Sequence, residues 1–423
     1  MCTEAIKVNF VGTNAGGTAA GGLNHFGIGI GNDATYTQIG GLTPGERNII
    51  SGNDIGIDIA DHSAQWTRII GNYIGTDISG SYAIPNLFNG VVIEVGARNN
   101  TVGGTTPAER NVISGNAGAA VVLTDAPSFQ NTVIGNYIGV DATGHAALPN
   151  KAGISIFTTA FNRIGGSQPG EGNLISGNLE KGIEIASLGR SDAIVIGNRI
   201  GLDASGAPTL GNTFSGINIQ FGRHVFIGGL GPGEGNQVAG NGVGNGVGVS
   251  VGKSGSINNW VAGNLISNNA YMGVSIMDYA SRTLVVRNTI TSSSPGVWIR
   301  QGTMNTLRAN SIHDNTTAGI QLLDGGNQEL TAPVITGLTP TGVTGTTCAN
   351  CLVEVFSDLG SQGRRYEGMT EADPAGNFTL NVYIFGYNVT ATATDALGNT
   401  SSFSAPVSTS WSWFVNNLPL IRR

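Results

Sequence analysis

Residues 47–60 read RNIISGNDIGIDIA, and this stretch contains both patterns that recur through the chain. The first pattern is an Asn followed two residues later by Ile or Val, here Asn48 and Ile50. The second is usually a Gly followed by Ile or Val, any residue, and Ile, here 56–59. Each pattern occurs eleven times, and the two alternate. The recurring Asn residues are Asn9, Asn48, Asn72, Asn111, Asn136, Asn173, Asn198, Asn236, Asn264, Asn288 and Asn310.

Short alternating segments bounded by Gly and Asn predict strands, and no helix-length amphipathic segment separates them. Consecutive short strands without a crossover helix wind as a solenoid whose coils stack about 4.8 Å apart. Parallel connections favour the right hand. We therefore predict an all-β chain, with a right-handed parallel β-helix of about eleven coils over residues 1–325. The Asn residues are expected to form a ladder in a tight turn, in left-handed backbone geometry, bonding neighbouring backbone and the next Asn.

The first coils alternate in length, so that a two-coil unit of about 63 residues repeats four times before three plain coils. The longer coil of each unit carries two loops. The first loop family comprises 11–17, 74–86, 138–150 and 200–212, and the second comprises 39–48, 102–111, 164–173 and 227–236. Two rows of loops are expected to wall a groove along the rod. Within the first family, Asp77, Asp141 and Asp203 are interpreted as formers of Asx-turns, with Ca²⁺ binding as the alternative.

The pattern changes after the repeats. Residues 326–340 are interpreted as a linker, 341–407 as a small antiparallel β-sandwich, and 408–423 as a tail. Strands are predicted at 352–356, 378–382 and 389–394. Cys348 and Cys351 are expected to form a local disulfide, which implies an oxidising compartment, whereas Cys2 is left over. The small domain is expected to cover the open end of the rod or to act as a spacer.

Composition excludes several classes of protein. The net charge is −7 and no run of Arg or Lys occurs, so nucleic acid is not an expected partner. No stretch of 18 apolar residues is present, which argues against a membrane span. The chain starts inside a repeat and shows no signal peptide, so we expect an upstream segment in the natural product. Secretion or display at the cell surface is the expected location.

The elements N-Y-I-G-T-D, G-G-x-x-P-x-x-R-N and I-S-G-N carry a resemblance to a known family. Through them, residues 1–325 resemble secreted bacterial proteins with pectate-lyase-like right-handed β-helix repeats. Residues 341–407 resemble the immunoglobulin-like domains of bacterial surface proteins. The first resemblance implies an architecture that hosts polysaccharide lyases, glycoside hydrolases, adhesins and phage tailspikes, so it implies no single activity.

An acidic cluster on neighbouring coils is the first candidate site. Asp58 and Glu94 are outward residues displaced by two positions, which places their Cα atoms about 8 Å apart. That separation is compatible with the acid/base pair of an inverting glycosidase, whose carboxyl groups lie about 6.5–9.5 Å apart. The residues expected at the end of the same face, as substrate-binding groups, are Asp61, His62, Arg98 and Asp125. The alternative is a solvated acidic face with a salt bridge to Arg98.

A second candidate cluster falls on the plain coils. Lys253 and Arg300 are candidate bases for β-elimination from a uronic acid, a reaction in which Ca²⁺ commonly neutralises the carboxylate. The residues expected to bind substrate beside them are Asp278, Tyr279, Trp298 and Asp324, with His313 and Asp314 on the adjoining wall. The alternative is a ladder of surface ion pairs with one surface Trp.

Two functions follow from these patterns. The first is an extracellular protein that binds, and in one version depolymerises, a polysaccharide along the side of the rod. The second is a non-catalytic surface scaffold or adhesin built from repeats. Ice binding would require regular rows of Thr on a flat face, and the outward columns lack them.

Overall fold

The computed structural model describes residues 5–189, 191–242 and 246–409. Within these ranges the chain passes through three parallel sheets once per coil, and each sheet contains eleven strands. Two short 3-10 helices, Pro44–Glu46 and Gly326–Glu329, also occur in these ranges. The described residues include no helix that has both the length and the apolar character needed to cross a membrane.

The architecture is the predicted right-handed parallel β-helix followed by small antiparallel sheets. Sheet 1 consists of Ala5–Ile6, Gln38–Ile39, Arg68–Ile69, Thr101–Gly103, Thr132–Ile134, Arg163–Gly165, Ile194–Ile196, Phe226–Gly228, Trp260–Ala262, Leu284–Val286 and Thr306–Arg308. Sheet 2 consists of Phe10–Val11, Ile49–Ile50, Tyr73–Ile74, Val112–Ile113, Tyr137–Ile138, Leu174–Ile175, Arg199–Ile200, Gln237–Ala239, Leu265–Ser267, Thr289–Thr291 and Ser311–His313. Sheet 3 consists of Phe26–Ile30, Ile55–Ala60, Val91–Glu94, Ala119–Leu123, Ala152–Phe157, Ile183–Ala186, Ile217–Gln220, Val249–Gly252, Val274–Ile276, Val297–Arg300 and Ile320–Leu323.

The core is a set of apolar columns inside the rod. Ile50, Ile74 and Ile113 follow one another on sheet 2, and each is fully buried. Ile57 and Ile59 fill the equivalent positions on sheet 3 and are also buried. Complete burial of one such side chain stabilises a fold by about 1.5–3 kcal/mol. The inward Ile and Val residues of the two sequence patterns therefore hold successive coils together.

The predicted Asn ladder is present, but its backbone geometry differs from the prediction. Asn72 donates from Nδ2 to the Ile39 carbonyl at 2.8 Å and to Asn111 Oδ1 at 3.1 Å. It accepts a hydrogen bond from Asn48 Nδ2 at 2.9 Å. The prediction of left-handed geometry at the Asn itself was wrong, because the preceding Gly71 has the positive φ of 69°. The turn is thus made one residue earlier, where glycine has no side-chain clash.

A second Asn ladder runs along the next corner of the coil, and the sequence reasoning missed it. Its members are Asn53, Asn86, Asn116, Asn150, Asn178, Asn212, Asn241 and Asn269, each bonded to the next. A third series links Asn100 to Asn131. These amides satisfy buried carbonyl groups at the corners, where the sheet ladders are interrupted.

The register of the fourth coil was predicted one residue too early. The sequence pattern takes Ala120 as the first inward residue of this coil and so predicts that Val121 and Leu123 face outward, yet both side chains are fully buried. Val122 is the outward residue and pairs with Val92 and Ser155. Residues 118–123 read GAAVVL, which lacks alternation between polar and apolar residues. Pattern alone therefore cannot distinguish the two faces of this strand.

The C-terminal region forms two antiparallel sheets. One contains Val334–Thr339, Gly342–Thr346 and Asn377–Leu380, and the other contains Arg365–Glu371, Leu352–Asp358, Asn388–Thr394 and Val407–Ser408. The first of these strands lies inside the segment 326–340, which the sequence predicts to be a linker. Cys348 and Cys351 form the predicted disulfide. Cys2 and the tail beyond residue 409 lie outside the described residues.

The small domain packs on the open end of the rod, which agrees with the predicted role as a cover for that end. Ile312 of the last complete coil exchanges backbone hydrogen bonds with Gly363, at 2.9 and 2.7 Å. Arg308 donates to Glu354 at 3.0 Å, and burial raises the pKa of this carboxyl group. These contacts cover part of the strand edge that a bare solenoid end would expose.

The cap also continues the ladders and the core. Asn315 Nδ2 donates to Gln362 Oε1 at 3.0 Å, so Gln362 takes the place of the next Asn. Asn327 Nδ2 donates to the Thr400 carbonyl at 2.9 Å. Phe403 packs against the last apolar residues of the rod. The cap therefore satisfies polar groups and covers apolar groups in the same pattern as another coil.

Candidate functional site

One column of outward side chains runs along sheet 3. Strand register aligns its members on successive coils, and most lie between two buried residues of the core. The members are Gly29, Asp58, Val92, Val122, Ser155, Glu184, Asn218, Ser250, Ser275, Trp298 and Gln321. We call this set the sheet 3 column. It spans ten coil-to-coil steps of about 4.8 Å and is polar over most of its length.

Asp58 is the most perturbed group of the sheet 3 column. Its residue exposure is 6%, and Oδ1 is buried without a hydrogen-bond partner. Burial raises the pKa of Asp58 to about 6, and the charge of Glu94 adds to this shift, while His25 opposes it. A carboxyl group with this pKa keeps its proton under mildly acidic conditions, as a general acid must.

Glu94 lies on the coil after Asp58, as predicted. It pairs with Ala60, two positions along the strand from Asp58. Burial raises the pKa of Glu94, and the charge of Asp125 on the next coil adds to the effect. The three carboxyl groups therefore form one electrostatically coupled cluster, which we call the acidic cluster.

The turn beside the acidic cluster contains the other predicted residues. His62, which follows Asp61, packs over Gly96, where an added Cβ would clash with the imidazole ring. Arg98 donates to the His62 carbonyl at 2.6 Å, and its guanidinium lies 5.8 Å from the Phe129 ring centre. Arg98 forms no salt bridge with a carboxylate in the described part of the chain. The salt bridge to Arg98 that the alternative interpretation included is therefore wrong.

The preceding coil leaves space over Asp58. Gly29 occupies the aligned position, and a Cβ added there would meet no atom within 4 Å. Gly31 occupies the neighbouring outward position, opposite Ala60. The absence of side chains at these two positions makes this the side from which a ligand can approach Asp58.

The middle of the sheet 3 column offers hydrogen-bonding groups. Asn218 is 6% exposed, and its Nδ2 is buried without a partner. Ser275 Oγ donates to Ser250 Oγ at 3.2 Å on the neighbouring coil. Trp298 follows two steps after Ser250 and is partly exposed. Polar groups and an aromatic ring in one line suit a ligand that has both hydroxyl groups and apolar faces.

The second predicted cluster consists of ion pairs. Lys253 Nζ lies 2.9 Å from Asp278, and Arg300 Nε lies 2.6 Å from Asp324. The Arg300 guanidinium is 6.0 Å from the Trp298 ring centre. Each cation is thus held in an ion pair with a carboxylate of the next coil. The geometry therefore favours the alternative interpretation, a ladder of surface ion pairs.

The remaining predicted neighbours do not complete this cluster. Tyr279 is 62% exposed. His313 Nδ1 contacts Asp314 at 2.9 Å, and Arg364 of the cap contacts the same carboxylate at 2.6 Å. The cap therefore engages Asp314, one of the two residues expected on the adjoining wall.

The two loop rows stack as predicted and flank sheet 2. In the first family, Ala142 N donates to the Gly80 carbonyl at 2.9 Å across the intervening coil. Asp77 Oδ1 accepts from the backbone of Ser81 and Tyr82 at 3.1 Å, which is the predicted Asx-type role. Among the described residues, no group of three or more His, Cys, Asp or Glu side chains is arranged to hold a metal ion.

Repeated Arg–Tyr pairs line the groove between the loop rows, and the sequence reasoning missed them. The Arg47 guanidinium lies 3.8 Å from the Tyr73 ring centre, and Arg110 lies 4.1 Å from Tyr137. The available signal was the repeated R-N motif followed one coil later by N-Y-I-G. Stacking between these motifs becomes visible only when the coil geometry is known.

Comparison with known proteins supports the fold. The family described as "Right handed beta helix region" matches residues 210–354. No curated protein matches the chain.

Several solved structures are similar in fold. The periplasmic alginate epimerase AlgG is 15% identical, with 70% of this chain and 67% of that chain covered, at a TM-score of 0.39. The A-module of the mannuronan C-5 epimerase AlgE4 from Azotobacter vinelandii is 14% identical, with coverage of 68% and 72% and a TM-score of 0.38. The enzymatically active domain of tailspike protein 2 from bacteriophage CBA120 is 7% identical, with coverage of 86% and 72% and a TM-score of 0.38. These similarities assign no activity to this chain.

Proposed function

We propose that this protein binds a polysaccharide along the sheet 3 column and cleaves it at the acidic cluster. The observation that carries the proposal is the buried carboxyl group of Asp58, whose Oδ1 lacks a partner. It lies at one end of a column that is apolar at Val92 and Val122 and mainly polar from Ser155 onward. A column of ten coil-to-coil steps suits an extended polymer better than a compact metabolite.

Binding is assigned to the middle and far part of the column. Burying Asn218 Nδ2 without a partner is unfavourable, and a ligand oxygen would remove this cost. Trp298 offers an aromatic face next to these polar groups. Sugars present hydroxyl groups at the ring edges and C–H groups on the ring faces, so both kinds of contact are satisfied together.

Acid/base roles are assigned to the two carboxyl groups of adjacent coils. Asp58, whose pKa is raised to about 6, serves as the proton donor to the leaving oxygen. Glu94 serves as the base that activates water. Asp61, His62, Arg98 and Asp125 surround the bound sugar at this end. The paired Lys253 and Arg300 hold the turn of the plain coils in this proposal, and Ca²⁺ is not assigned a site.

The proposal extends to location and to the cap. We infer that the protein acts outside the cytoplasm, which the Cys348–Cys351 disulfide supports. We also infer that residues 341–407 form an immunoglobulin-like domain that serves as the cap. Its two antiparallel sheets and its hydrogen bonds to the last coils support this role.

A depolymerisation screen tests the proposal. Purified protein is incubated with neutral and uronic-acid polysaccharides, with Ca²⁺ and with chelator, while new reducing ends and unsaturated products are followed. New reducing ends without unsaturated product are expected. Unsaturated product would instead indicate a lyase and would overturn the assignment to Asp58 and Glu94.

Matched variants separate catalysis from binding. Asp58→Asn is expected to lower the cleavage rate by about a hundredfold or more, because it removes the proton donor. Glu371→Gln is the control, since Glu371 is an exposed carboxylate of the cap and lies outside the sheet 3 column. If the protein is retained on an insoluble glycan but cleaves no polymer, its function is binding without catalysis. Neither cleavage nor retention on any polymer would overturn the proposal.

A further inference from the structure

A pocket of about 400 Å³ lies between the two loop rows on sheet 2, away from the sheet 3 column. Its floor is Leu174, and one wall is the loop 166–173. Tyr137 and Arg199 lie on the coils before and after Leu174. Arg110 reaches the pocket from above Tyr137. The volume falls within the range of about 300–1,000 Å³ that is usual for small-molecule sites.

The pocket arises where the repeat is broken at two positions. The second loop family has Arg47 and Arg110 in its first two copies, but Gly172 in the third. The strand position that holds Tyr73 and Tyr137 in the second and third units holds Arg199 in the fourth. The first change removes a side chain and opens the space, and the second adds a cation to it. The repeated fold does not require either change, since the earlier units lack both.

The two arginines of the pocket lack carboxylate partners within the described chain. Arg199 donates only to the Ala204 carbonyl, at 3.2 Å. Arg110 stacks on Tyr137, but its Nε is buried without a hydrogen-bond partner. The equivalent Arg47 Nε does have a partner, the Gly71 carbonyl at 3.1 Å. Arg110 therefore carries an unused donor that its counterpart in the first unit does not.

The surroundings make this pocket a local positive site on a negative protein. No Asp or Glu lines it, although the chain has a net charge of −7. The nearest loop carboxylate, that of Glu171, is held by Arg163 at 3.5 Å. Arginine presents a planar fork of donors that matches the two oxygens of a carboxylate or sulfate.

We propose that the Arg110–Arg199 pocket binds an oxyanion, supplied by the carboxylate or sulfate group of an acidic sugar. Arg110 donates to the oxyanion through the free Nε. Arg199 approaches from two coils beyond Tyr137, about 10 Å along the rod from the ring on which Arg110 stacks. Tyr137 holds the Arg110 guanidinium in place through its ring. This site uses other residues and another face than the acidic cluster, so it does not depend on the function proposed above.

Isothermal titration calorimetry with four probes tests the assignment: glucuronate, glucose 6-sulfate, glucose and inorganic sulfate. The acidic sugars are expected to bind and glucose is not. Arg110→Gln and Arg199→Gln are each expected to weaken binding about tenfold or more, through loss of a charge-assisted hydrogen bond. Arg223→Gln removes the same charge from an exposed position outside the pocket and is expected to leave affinity unchanged.

Each outcome of the titration either supports or overturns the proposal. Arginine-dependent binding that is tighter for glucuronate than for sulfate supports an acidic sugar, whereas equal binding supports a free anion as the source. Equal affinity for glucose and glucuronate would overturn the proposal, as would unchanged affinity in both variants or no binding of any anion. Because Arg199 is exposed, its variant keeps the test valid if Arg110→Gln fails to fold.

Discussion

We expect Asp58→Asn to stabilise the rod above neutral pH and to lose that advantage in acid. Burial, followed by the charge of Glu94, raises the pKa of Asp58 from 3.8 to about 6. The folded chain therefore binds this proton more tightly than the unfolded chain does. The ionised carboxylate has an unpartnered buried oxygen, which explains the direction of the shift.

The magnitude follows from the pKa difference. The contribution of Asp58 to stability is fully present below pH 3.8 and is lost as the pH rises through about 6. One pKa unit corresponds to about 1.4 kcal/mol, so the loss reaches about 3 kcal/mol above neutral pH. Asparagine does not titrate. The stability of the variant relative to the natural chain should therefore increase by about 3 kcal/mol between acid and neutral conditions.

Urea denaturation of both chains at a series of pH values measures this difference. The comparison at each pH cancels the titration of the groups that are not coupled to Asp58, and the change with pH cancels any fixed cost of burying the Asn amide. Asp61→Asn is the matched control. The backbone hydrogen bond from Ser63 lowers the pKa of Asp61, so its variant should show the opposite pH dependence. A stability difference for Asp58→Asn that is constant with pH would refute the reasoning.

Three further predictions concern the acidic cluster, the ladder and the cap. Glu94→Gln should lower the pKa of Asp58 towards its ordinary range, because the charge of Glu94 contributes to the raised pKa. NMR titration of the Asp58 carboxyl carbon measures this pKa. An unchanged value would contradict electrostatic coupling between the two carboxyl groups. Asn72→Ala should lower the free energy of unfolding by about 3 kcal/mol in urea denaturation, because it leaves buried carbonyl groups without a donor. Asn9→Ala, at the exposed end of the ladder, should lower it by less than about 1 kcal/mol. Equal losses in the two variants would contradict a stabilising role of the ladder. Arg308→Met should destabilise docking of the cap by about 2 kcal/mol, because it leaves the buried carboxylate of Glu354 without its cation. Faster proteolysis between the rod and the cap would show this loss. Unchanged proteolysis would mean that Arg308 does not stabilise the docked cap.

Periodicity made the rod predictable from sequence. Each coil repeats its own Asn-x-Ile pattern, so the number of coils and the alignment of Asp58 and Glu94 depend only on local spacing. The failure at 118–123 has the opposite cause, since GAAVVL contains no polar residue to mark the outward face. The predicted backbone geometry of the Asn ladder was also wrong, because at Asn72 the preceding Gly71 makes the turn.

Contacts between distant segments could not be predicted from the sequence. Arg110 stacks on Tyr137 only because a loop and a strand of successive coils meet at one corner. The bond between Gln362 and Asn315 depends on how the cap sits on the rod, which no spacing encodes. The burial of Asp58 likewise reflects packing around it, although its outward position was evident from alternation.

Oxidative footprinting with a bound polymer tests most directly whether a polysaccharide lies along the sheet 3 column. The polymer is one retained in the glycan screen, and the readout is tryptophan oxidation by mass spectrometry. Trp298 belongs to the sheet 3 column, whereas Trp260 is 46% exposed on sheet 1 and serves as an internal control. We predict that the polymer protects Trp298 and leaves Trp260 as reactive as before. Protection of Trp260 with no protection of Trp298 would contradict the account.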